Sequence, residues 1–335
     1  MKNAIARRVS KITNPMRLAD LKKVEQVPSR DGYGRGLVEL GKKNKNVVAL
    51  CCDLTDSTRV AWFKEKFPKR FIEVGVAEQN MAGIAAGLSL TGKIPFISSY
   101  AVFSPGRNWD QIRVSICYSN ANVKIEGAHA GISVGPDGAT HQALEDIAIT
   151  RCLPNMTVVV PADAVQAEKA TIASASTKGP VYLRFGREKV PVITTKKTPF
   201  KIGKADTYRE GKDVCVIACG IMVYEALIAA EKLEKEGIDV MVINNHTIKP
   251  IDKTTIVNAA KKTKAVVTAE EHQIQGGLGS AVAEVITENC PVPIKRVGIL
   301  DRFGESGSPE ELLKKFGCTS KDIIKAVKSV LKKKS

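Results

Sequence analysis

Residues 71–92, FIEVGVAEQNMAGIAAGLSLTG, join a short apolar strand to a helix rich in small residues. One acid, Glu78, stands at the junction. Because the helix carries little bulk, another backbone or a flat ligand can approach it closely. The helix dipole also favours an acid in the first turn, which is the simplest structural explanation for Glu78. The stretch predicts an interface or a binding site with a carboxylate at its edge.

Strand and helix patterns alternate on both sides of this stretch. This alternation predicts an α/β fold with mostly parallel sheets and helices on both faces, as two three-layer α/β/α domains. We predict a basic N-terminal arm (1–27), a first domain (28–186), a linker (187–212) and a smaller second domain (213–335). The predicted strands cover residues 47–54, 71–74, 94–98, 123–126, 157–160, 181–185, 214–218, 240–244, 265–268 and 294–297.

The composition is that of an ordinary globular protein. A chain of 335 residues with 44% apolar content is long enough for two domains with hydrophobic cores. No apolar run reaches the roughly 18 residues that span a bilayer, so we expect no membrane association. The eight cysteines form no C-x-x-C pair and lie mostly in apolar runs. They predict reduced core residues in a cytoplasmic protein rather than a zinc site or a disulfide framework.

The chain is strongly basic, with a formal net charge of +16. Its lysines are scattered, apart from concentrations in the N-terminal arm and in the last residues of the chain. Scattered charges of this kind are usually solvated, so we expect no nucleic-acid partner. Phosphorylated ligands are a simpler explanation for the positive charge.

The segment 129–142, HAGISVGPDGATHQ, is the second informative stretch. It holds two of the chain's four histidines, His129 and His141, with Asp137 between them. The segment follows a predicted strand, and open α/β sheets bind their ligands at the carboxyl ends of strands. A single histidine could be structural, but two histidines and an acid in one glycine-rich loop predict a functional site.

Both stretches resemble a known family. Gly75, Val76, Glu78 and Met81 match a G-V-x-E-x-x-M pattern, and Gly135, Asp137, Gly138, Thr140, His141 and Gln142 match a G-x-D-G-x-T-H-Q signature. These patterns are similar to those of transketolase and related thiamine-diphosphate enzymes. The resemblance extends from about residue 28 to residue 335 and includes EEHQIQGGLGSAVAEV in the second domain. It implies a pyrimidine-binding domain followed by a transketolase C-terminal domain.

The resemblance implies four residues at the cofactor thiamine diphosphate. Glu78 would contact the aminopyrimidine ring and act in catalysis, because a carboxyl group in an apolar pocket can share a proton with a ring nitrogen. Tyr100 and Phe103 match the segment whose rings stack on the pyrimidine, although both could simply be core residues. We also assign Asp53, in the D-L-T segment, to cofactor binding.

Further residues are implied at the substrate. Asp137 would bind a sugar hydroxyl, and His129 and His141 would contact the sugar or its phosphate and take part in catalysis. The phosphate would be bound by Arg30, Ser57 and Arg187, with Arg184 as the rival of Arg187. Arg107 would also face the ligand. Deoxyxylulose phosphate synthases have Arg where this chain has His129, which favours transketolase.

One part of the family is missing from this sequence. The diphosphate-and-magnesium domain, with its G-D-G and downstream Asn, has no counterpart here, and we predict no metal ligand on this chain. The sequence thus resembles the C-terminal subunit of a split transketolase. Its partner would be an N-terminal subunit that carries the diphosphate and Mg²⁺ site, in a two-plus-two assembly.

The implied reaction is transfer of a two-carbon ketol unit from a ketose phosphate to an aldose phosphate. Three alternatives remain open at this point. The chain could serve a deoxyxylulose phosphate synthase, it could be a 2-oxo-acid dehydrogenase beta subunit, or it could be a non-catalytic subunit that stabilises a complete enzyme.

Overall fold

The computed structural model describes residues 18–334, so most of the predicted N-terminal arm lies outside the described residues. Helices and strands alternate through these residues. The first half contains β1 (Gln26–Pro28), α1 (Ser29–Lys43), β2 (Val47–Cys51), α2 (Ala61–Lys66), β3 (Phe71–Glu73), α3 (Glu78–Leu90), β4 (Ile94–Tyr100), α4 (Trp109–Gln111), β5 (Lys124–Ala128), α5 (Asp146–Arg151), β6 (Thr157–Val159), α6 (Ala164–Ser176) and β7 (Val181–Arg184). A π-helical segment, Ile112–Tyr118, continues α4.

The second half continues the same alternation. It contains β8 (Lys189–Pro191), β9 (Asp206–Arg209), β10 (Val214–Ala218), α7 (Met222–Glu234), β11 (Val240–Asn244), β12 (Thr247–Lys249), α8 (Lys253–Thr263), β13 (Val266–Gln273), α9 (Leu278–Asn289), β14 (Ile294–Ile299), α10 (Pro309–Lys315) and α11 (Ser320–Leu331). Within residues 18–334, no helix combines the length and apolar character that a membrane span requires.

Two mostly parallel sheets organise these elements. The larger has seven strands in the order β12-β6-β7-β5-β4-β2-β3, and the smaller has five in the order β14-β13-β10-β11-β9. Within these two sheets of residues 18–334, only the edge strands β12 and β9 run antiparallel to their neighbours. Hydrophobic clusters cover both faces of each sheet. The predicted fold class of two α/β/α domains is confirmed.

Strand pairing joins the two halves of the chain, which the sequence pattern did not predict. Strand β12 follows the second domain's β11 in the chain, yet it pairs with β6 at the edge of the first domain's sheet. The segment predicted as a linker, 187–212, contains β8, which pairs with β1, and β9, which joins the second sheet. The two domains are therefore tied together by strand pairing as well as by side chains.

Strand β13 is longer than its predicted span, 265–268. It runs on through Glu270, Glu271 and His272, which are 0%, 5% and 0% exposed. Charged residues normally end a buried strand pattern, because burial without a partner is costly. Here each side chain has a hydrogen-bond partner, so the strand continues.

Helix α1 packs closely against α6 because of one glycine. A Cβ atom on Gly32 would overlap the carbonyl oxygen of Ala164. The glycine at this position therefore lets the start of α1 approach α6, and this contact fixes the helix that carries Arg30.

The carboxyl ends of β2, β3, β4, β5 and β7 lie along one edge of the larger sheet, since these strands are parallel neighbours. The predicted site residues, except Arg30 at the start of α1, follow these strands in the chain. The sheet therefore brings the predicted site residues, of which Asp53 is the first after these strands and Arg187 the last, together along a single edge.

The buried residue Asp163 connects α6 to the segment that follows β8. Its Oδ1 accepts the N–H of Gln166 at 2.9 Å and the hydroxyl of Thr194 at 2.7 Å. Its Oδ2 accepts the N–H groups of Ile193 and Thr194 at 2.8 and 2.6 Å. One carboxylate therefore caps the helix and holds the connecting chain against it.

We expect Asp163→Ala to lower the free energy of unfolding by about 3 kcal/mol or more, because each buried donor left unpaired costs roughly 1–3 kcal/mol. Urea unfolding followed by circular dichroism measures the change. The control is Ser308→Ala, which removes an exposed helix cap worth about 1 kcal/mol. An Asp163→Ala variant no less stable than Ser308→Ala would contradict this assignment.

Candidate active site

Four rings come together at the carboxyl edge of the larger sheet. Tyr100 ends β4, and its ring centroid lies 5.9 Å from that of Phe103 at an interplanar angle of 19°. The ring of His129 stacks on Tyr100 at 3.8 Å and 22°. The ring of His141 stands edge-on to Phe103 at 5.5 Å and to Tyr100 at 6.1 Å. Tyr100 and Phe103 are only partly buried, so this cluster presents aromatic faces and imidazoles at one surface.

Glu78 is the first residue of α3, and only 2% of it is exposed. Both of its carboxylate oxygens accept hydrogen bonds from Nη1 of Arg107 at 2.9 Å. The guanidinium of Arg107 also lies over the ring of Phe103, 4.6 Å from its centroid. Arg107 was predicted to face the substrate, and the structure places it against Glu78. Because the Arg107 side chain is half exposed, a ligand could replace it at the carboxylate.

His129 lies directly after β5 in a left-handed conformation, with φ of 54°. The residue is buried, and its Nδ1 has no hydrogen-bond partner among residues 18–334. Burial, and then the positive charges of Arg30 and Arg187, lower the pKa of His129 to about 3. The ring is therefore a neutral imidazole with a free nitrogen.

Two arginines lie near His129, and each binds a loop that carries another predicted residue. Nη1 of Arg30 donates to the carbonyl oxygen of Ser57 at 2.8 Å. Nη1 of Arg187 donates to the carbonyl oxygen of Val134 at 3.1 Å and lies 3.8 Å from Oδ1 of Asp137. Burial, and then the charge of Arg59, lower the pKa of Arg30. The predicted residues Arg30, Ser57, Asp137 and Arg187 are thus linked in pairs around His129.

The second histidine, His141, has a polar neighbour of its own. Its Nδ1 lies 2.8 Å from the hydroxyl oxygen of Thr140, within hydrogen-bond distance. The hydrogen bond orients the imidazole that stands against Phe103. His141 is more exposed than His129, so the two imidazoles occupy different environments.

Arg184, the rival of Arg187, lies inside the protein. Its Nε donates to Oδ2 of Asp146 at 2.8 Å, and its Nη2 donates to the carbonyl oxygen of Glu271 at 2.9 Å. Burial alone would lower the pKa of Arg184, but the charge of Asp146 and the hydrogen bond to it raise that pKa overall. Arg184 therefore has a structural role, and Arg187 is the residue at the surface of the site.

Asp53 lies apart from the ring cluster. It follows β2 with φ of 58° and lines a cleft of about 540 Å³ together with Ser57 and Glu73. The carboxylate of Glu73 accepts the N–H groups of Asp53, Val74 and Gly75 at 2.8, 3.2 and 3.1 Å and the hydroxyl of Thr55 at 3.0 Å. Glu73 therefore joins the loop that carries Asp53 to the loop that leads to Glu78.

Three residues at this edge escaped the sequence analysis. Glu73 is the first, and an acidic residue near the end of a predicted strand was the sequence signal that could have indicated it. Arg59 is the second; its left-handed φ of 67° and its ion pair with Asp31 at 2.7 Å place its charge near Arg30. Glu271 is the third, and it comes from the second domain. Within the described chain, no group of three or more His, Cys, Asp or Glu side chains is arranged to bind a metal ion.

Comparison with known families identifies this arrangement. A family model described as the pyrimidine-binding domain of transketolase matches residues 25–192, and one described as the transketolase C-terminal domain matches residues 203–323. The chain belongs to the transketolase family. These matches confirm the predicted resemblance to transketolase and the two predicted domain types.

Individual transketolase relatives agree with the family models. The 6-deoxy-6-sulfo-D-fructose transketolase subunit SqwH of Clostridium sp. (strain MSTE9) is 45% identical over 93% of this chain and 97% of its own length. The transketolase of Homo sapiens is 38% identical over 92% of this chain but only 50% of its own length. A solved structure, described as a split gene transketolase in an inactive beta4 tetramer, is 49% identical with a TM-score of 0.87 and covers 92% of this chain and 100% of that one. The resemblance to a split transketolase subunit is thereby confirmed.

The low pKa of His129 gives a direct test of the geometry. We expect its ¹³C-labelled imidazole to show no protonation between about pH 8 and about pH 5, where an ordinary histidine titrates. The unfolded chain binds this proton near pH 6.5, and the folded chain does so only near pH 3. Neutral His129 therefore adds stability that is present above pH 6.5 and is lost as the pH falls towards 3.

Histidine NMR spectra of the wild type and of a His129→Gln variant measure this, because the variant assigns the signal. A titration midpoint for His129 above about pH 5 would show that the ring is not buried against the arginines as described.

Proposed function

We propose that this chain is the C-terminal subunit of a split, thiamine-diphosphate-dependent transketolase. With a separate diphosphate-binding subunit, it would transfer a two-carbon ketol unit from a ketose phosphate to an aldose phosphate. The observation that carries this proposal is the buried carboxylate of Glu78 beside the partly exposed rings of Tyr100 and Phe103. The chain would be active only in the complex, where it would contribute one side of a shared site.

The residues present fit the aminopyrimidine end of thiamine diphosphate. A flat heteroaromatic ring needs aromatic faces to stack on and a carboxyl group to hydrogen-bond a ring nitrogen. Tyr100 and Phe103 supply the faces, and Glu78 supplies the carboxyl group where Arg107 now lies. When bound, the cofactor supplies the nucleophilic carbon and the electron sink for breaking and forming the carbon–carbon bond.

The remaining residues would act on the sugar phosphate. The neutral imidazole of His129, together with the side chain of His141, would hydrogen-bond the substrate's oxygen atoms and exchange protons with them. Asp137, placed beside Arg187, would accept a hydrogen bond from a sugar hydroxyl. Arg30 and Arg187 would bind the terminal phosphate, since guanidinium groups match phosphate geometry. We assign Asp53 to the cofactor side, with Glu73 fixing its backbone.

The proposed function includes a partner that completes this site. The sequence contains no G-D-G segment with a downstream Asn, and the described residues offer no cluster of metal ligands. We propose that an N-terminal transketolase subunit supplies the diphosphate and Mg²⁺ site, in a two-plus-two assembly. All eight cysteines are free and most are buried, which is consistent with a reducing, cytoplasmic location.

We expect Glu78→Gln to reduce transfer from xylulose 5-phosphate to an aldose phosphate at least about 100-fold in the reconstituted complex, because a neutral amide cannot hold the proton at the ring nitrogen. The assay measures sugar-phosphate products with the chain mixed with the candidate partner. Size-exclusion chromatography checks that the variant still assembles.

The matched control is Glu288→Gln, an exposed residue of α9, which should leave turnover unchanged. Full turnover by Glu78→Gln would contradict the site assignment. Loss of assembly without a change in the chemistry of the assembled fraction would indicate a non-catalytic stabilising subunit. Preference for pyruvate as the donor would favour a deoxyxylulose phosphate synthase or a 2-oxo-acid dehydrogenase.

A further inference from the structure

The second domain binds the loop 129–142 through the side chain of Glu271. Its Oε1 accepts the backbone N–H of Ser133 in a short hydrogen bond. The loop passes so close to this carboxylate that a Cβ atom on Gly131 would overlap the carboxyl group, and Gly131 has φ of 92°. Glu271 is only 5% exposed, so the contact is shielded from water.

Three more hydrogen bonds join the second domain to the residues around this loop. The N–H of Gln273 donates to the carbonyl oxygen of Leu144 at 2.8 Å, just beyond the loop. The side chain of Gln142 donates to the carbonyl oxygen of Glu305 at 2.9 Å. Arg184, from the first domain, donates to the carbonyl oxygen of Glu271 at 2.9 Å. The second domain therefore contacts the middle of the loop and its C-terminal end.

The bond to Ser133 lies four residues from His129. His129 adopts a left-handed backbone conformation, which a residue with a side chain rarely populates unless its neighbours hold it there. Directly after His129, the loop is held by the N–H of Ala130, which donates to the carbonyl oxygen of Phe185 at 3.0 Å. Three residues further on, Glu271 holds Ser133. These two contacts fix the backbone that follows His129 and so restrict the direction of its imidazole.

We propose that Glu271 is a positioning residue through which the C-terminal domain sets substrate affinity at a site whose catalytic candidates, Glu78, His129 and His141, all lie in the first domain. The inference rests on the proposed function. In this arrangement the C-terminal domain holds the histidine loop in the conformation that binds the sugar phosphate.

The neighbouring residue Glu270 allows this role to be separated from simple stabilisation. Glu270 is equally buried, and it accepts the N–H groups of Leu278 and Gly279 at 2.6 and 2.8 Å. Both partners lie at the start of α9, within the second domain. Glu270 and Glu271 thus lie on the same strand, and both side chains accept hydrogen bonds from backbone N–H groups. Of the two, Glu271 is the one that reaches the loop.

The test compares Glu271→Met, Glu271→Gln and Glu270→Met. Met removes the acceptor while keeping the length of the side chain, and Gln keeps an acceptor for Ser133. Hydrogen exchange measured by mass spectrometry follows the amides of 129–142 in the isolated chain. The KM for the sugar phosphate and kcat are measured in the reconstituted complex. Glu271→Asp, which withdraws the carboxylate by one methylene, is a milder variant if Glu271→Met does not fold.

We expect Glu271→Met to speed exchange in 129–142 at least about tenfold, the effect of losing a buried hydrogen bond to a charged group. Its KM should rise by about the same factor with kcat changed less than about threefold, because loop order affects binding first. Glu271→Gln should restore both values towards wild type. Glu270→Met should speed exchange in α9 and leave 129–142 and KM unchanged.

Wild-type exchange in 129–142 for Glu271→Met, or an equal increase for Glu270→Met, would overturn the proposal. So would an equal loss in kcat with no change in KM. The exchange measurement uses the isolated chain, so it decides whether Glu271 holds the loop even if the complex transfers no ketol units. Absence of transfer by the wild-type complex would count against the proposed function alone.

Discussion

The six parallel strands of the larger sheet are the constraint on which the candidate site depends. Parallel strands all end at the same edge, so the residues that follow them are brought together whatever their separation in the chain. This geometry places Glu78, Tyr100, His129 and Arg187 along one edge, although more than one hundred residues separate the first from the last. The arrangement requires each strand to be buried on both faces, and the hydrophobic clusters on either side of the sheet provide that burial.

Electrostatics then determine the state of each group at this edge. A buried carboxylate without a partner costs on the order of several kcal/mol, so Glu78 needs a cation or a hydrogen-bond donor in every state of the protein. Arg107 fills that need in this structure, although its own side chain is half exposed. Nearby, the charges of Arg30 and Arg187 help burial to keep His129 neutral. The site therefore combines positive charge with an uncharged imidazole.

The sequence predicted the fold class and most of the elements because their signals are local. Alternating apolar strands and helices, and the loop with its two histidines, are visible within a few residues. The strands β10 and β11 have the predicted bounds, 214–218 and 240–244, and the structure places Tyr100, His129 and His141 in one cluster.

Other features depended on contacts between distant residues, and the sequence pattern could not reveal them. The strand β12 leaves its own domain to pair with β6, which no local periodicity indicates. The pairing of Arg107 with Glu78 joins residues 29 positions apart. The predicted strand 265–268 stopped before Glu270 and Glu271, since acids are rarely buried, yet each of these acids has a backbone partner that makes burial possible.

The proposed function requires that this chain provides half of a shared thiamine-diphosphate site. Isothermal titration of thiamine diphosphate with Mg²⁺ into the chain alone, and into the chain mixed with the candidate diphosphate-binding subunit, tests this requirement. We expect binding heat only in the mixture. Tight binding to the isolated chain would mean that it carries a complete site of its own, and the proposed split subunit would then be wrong.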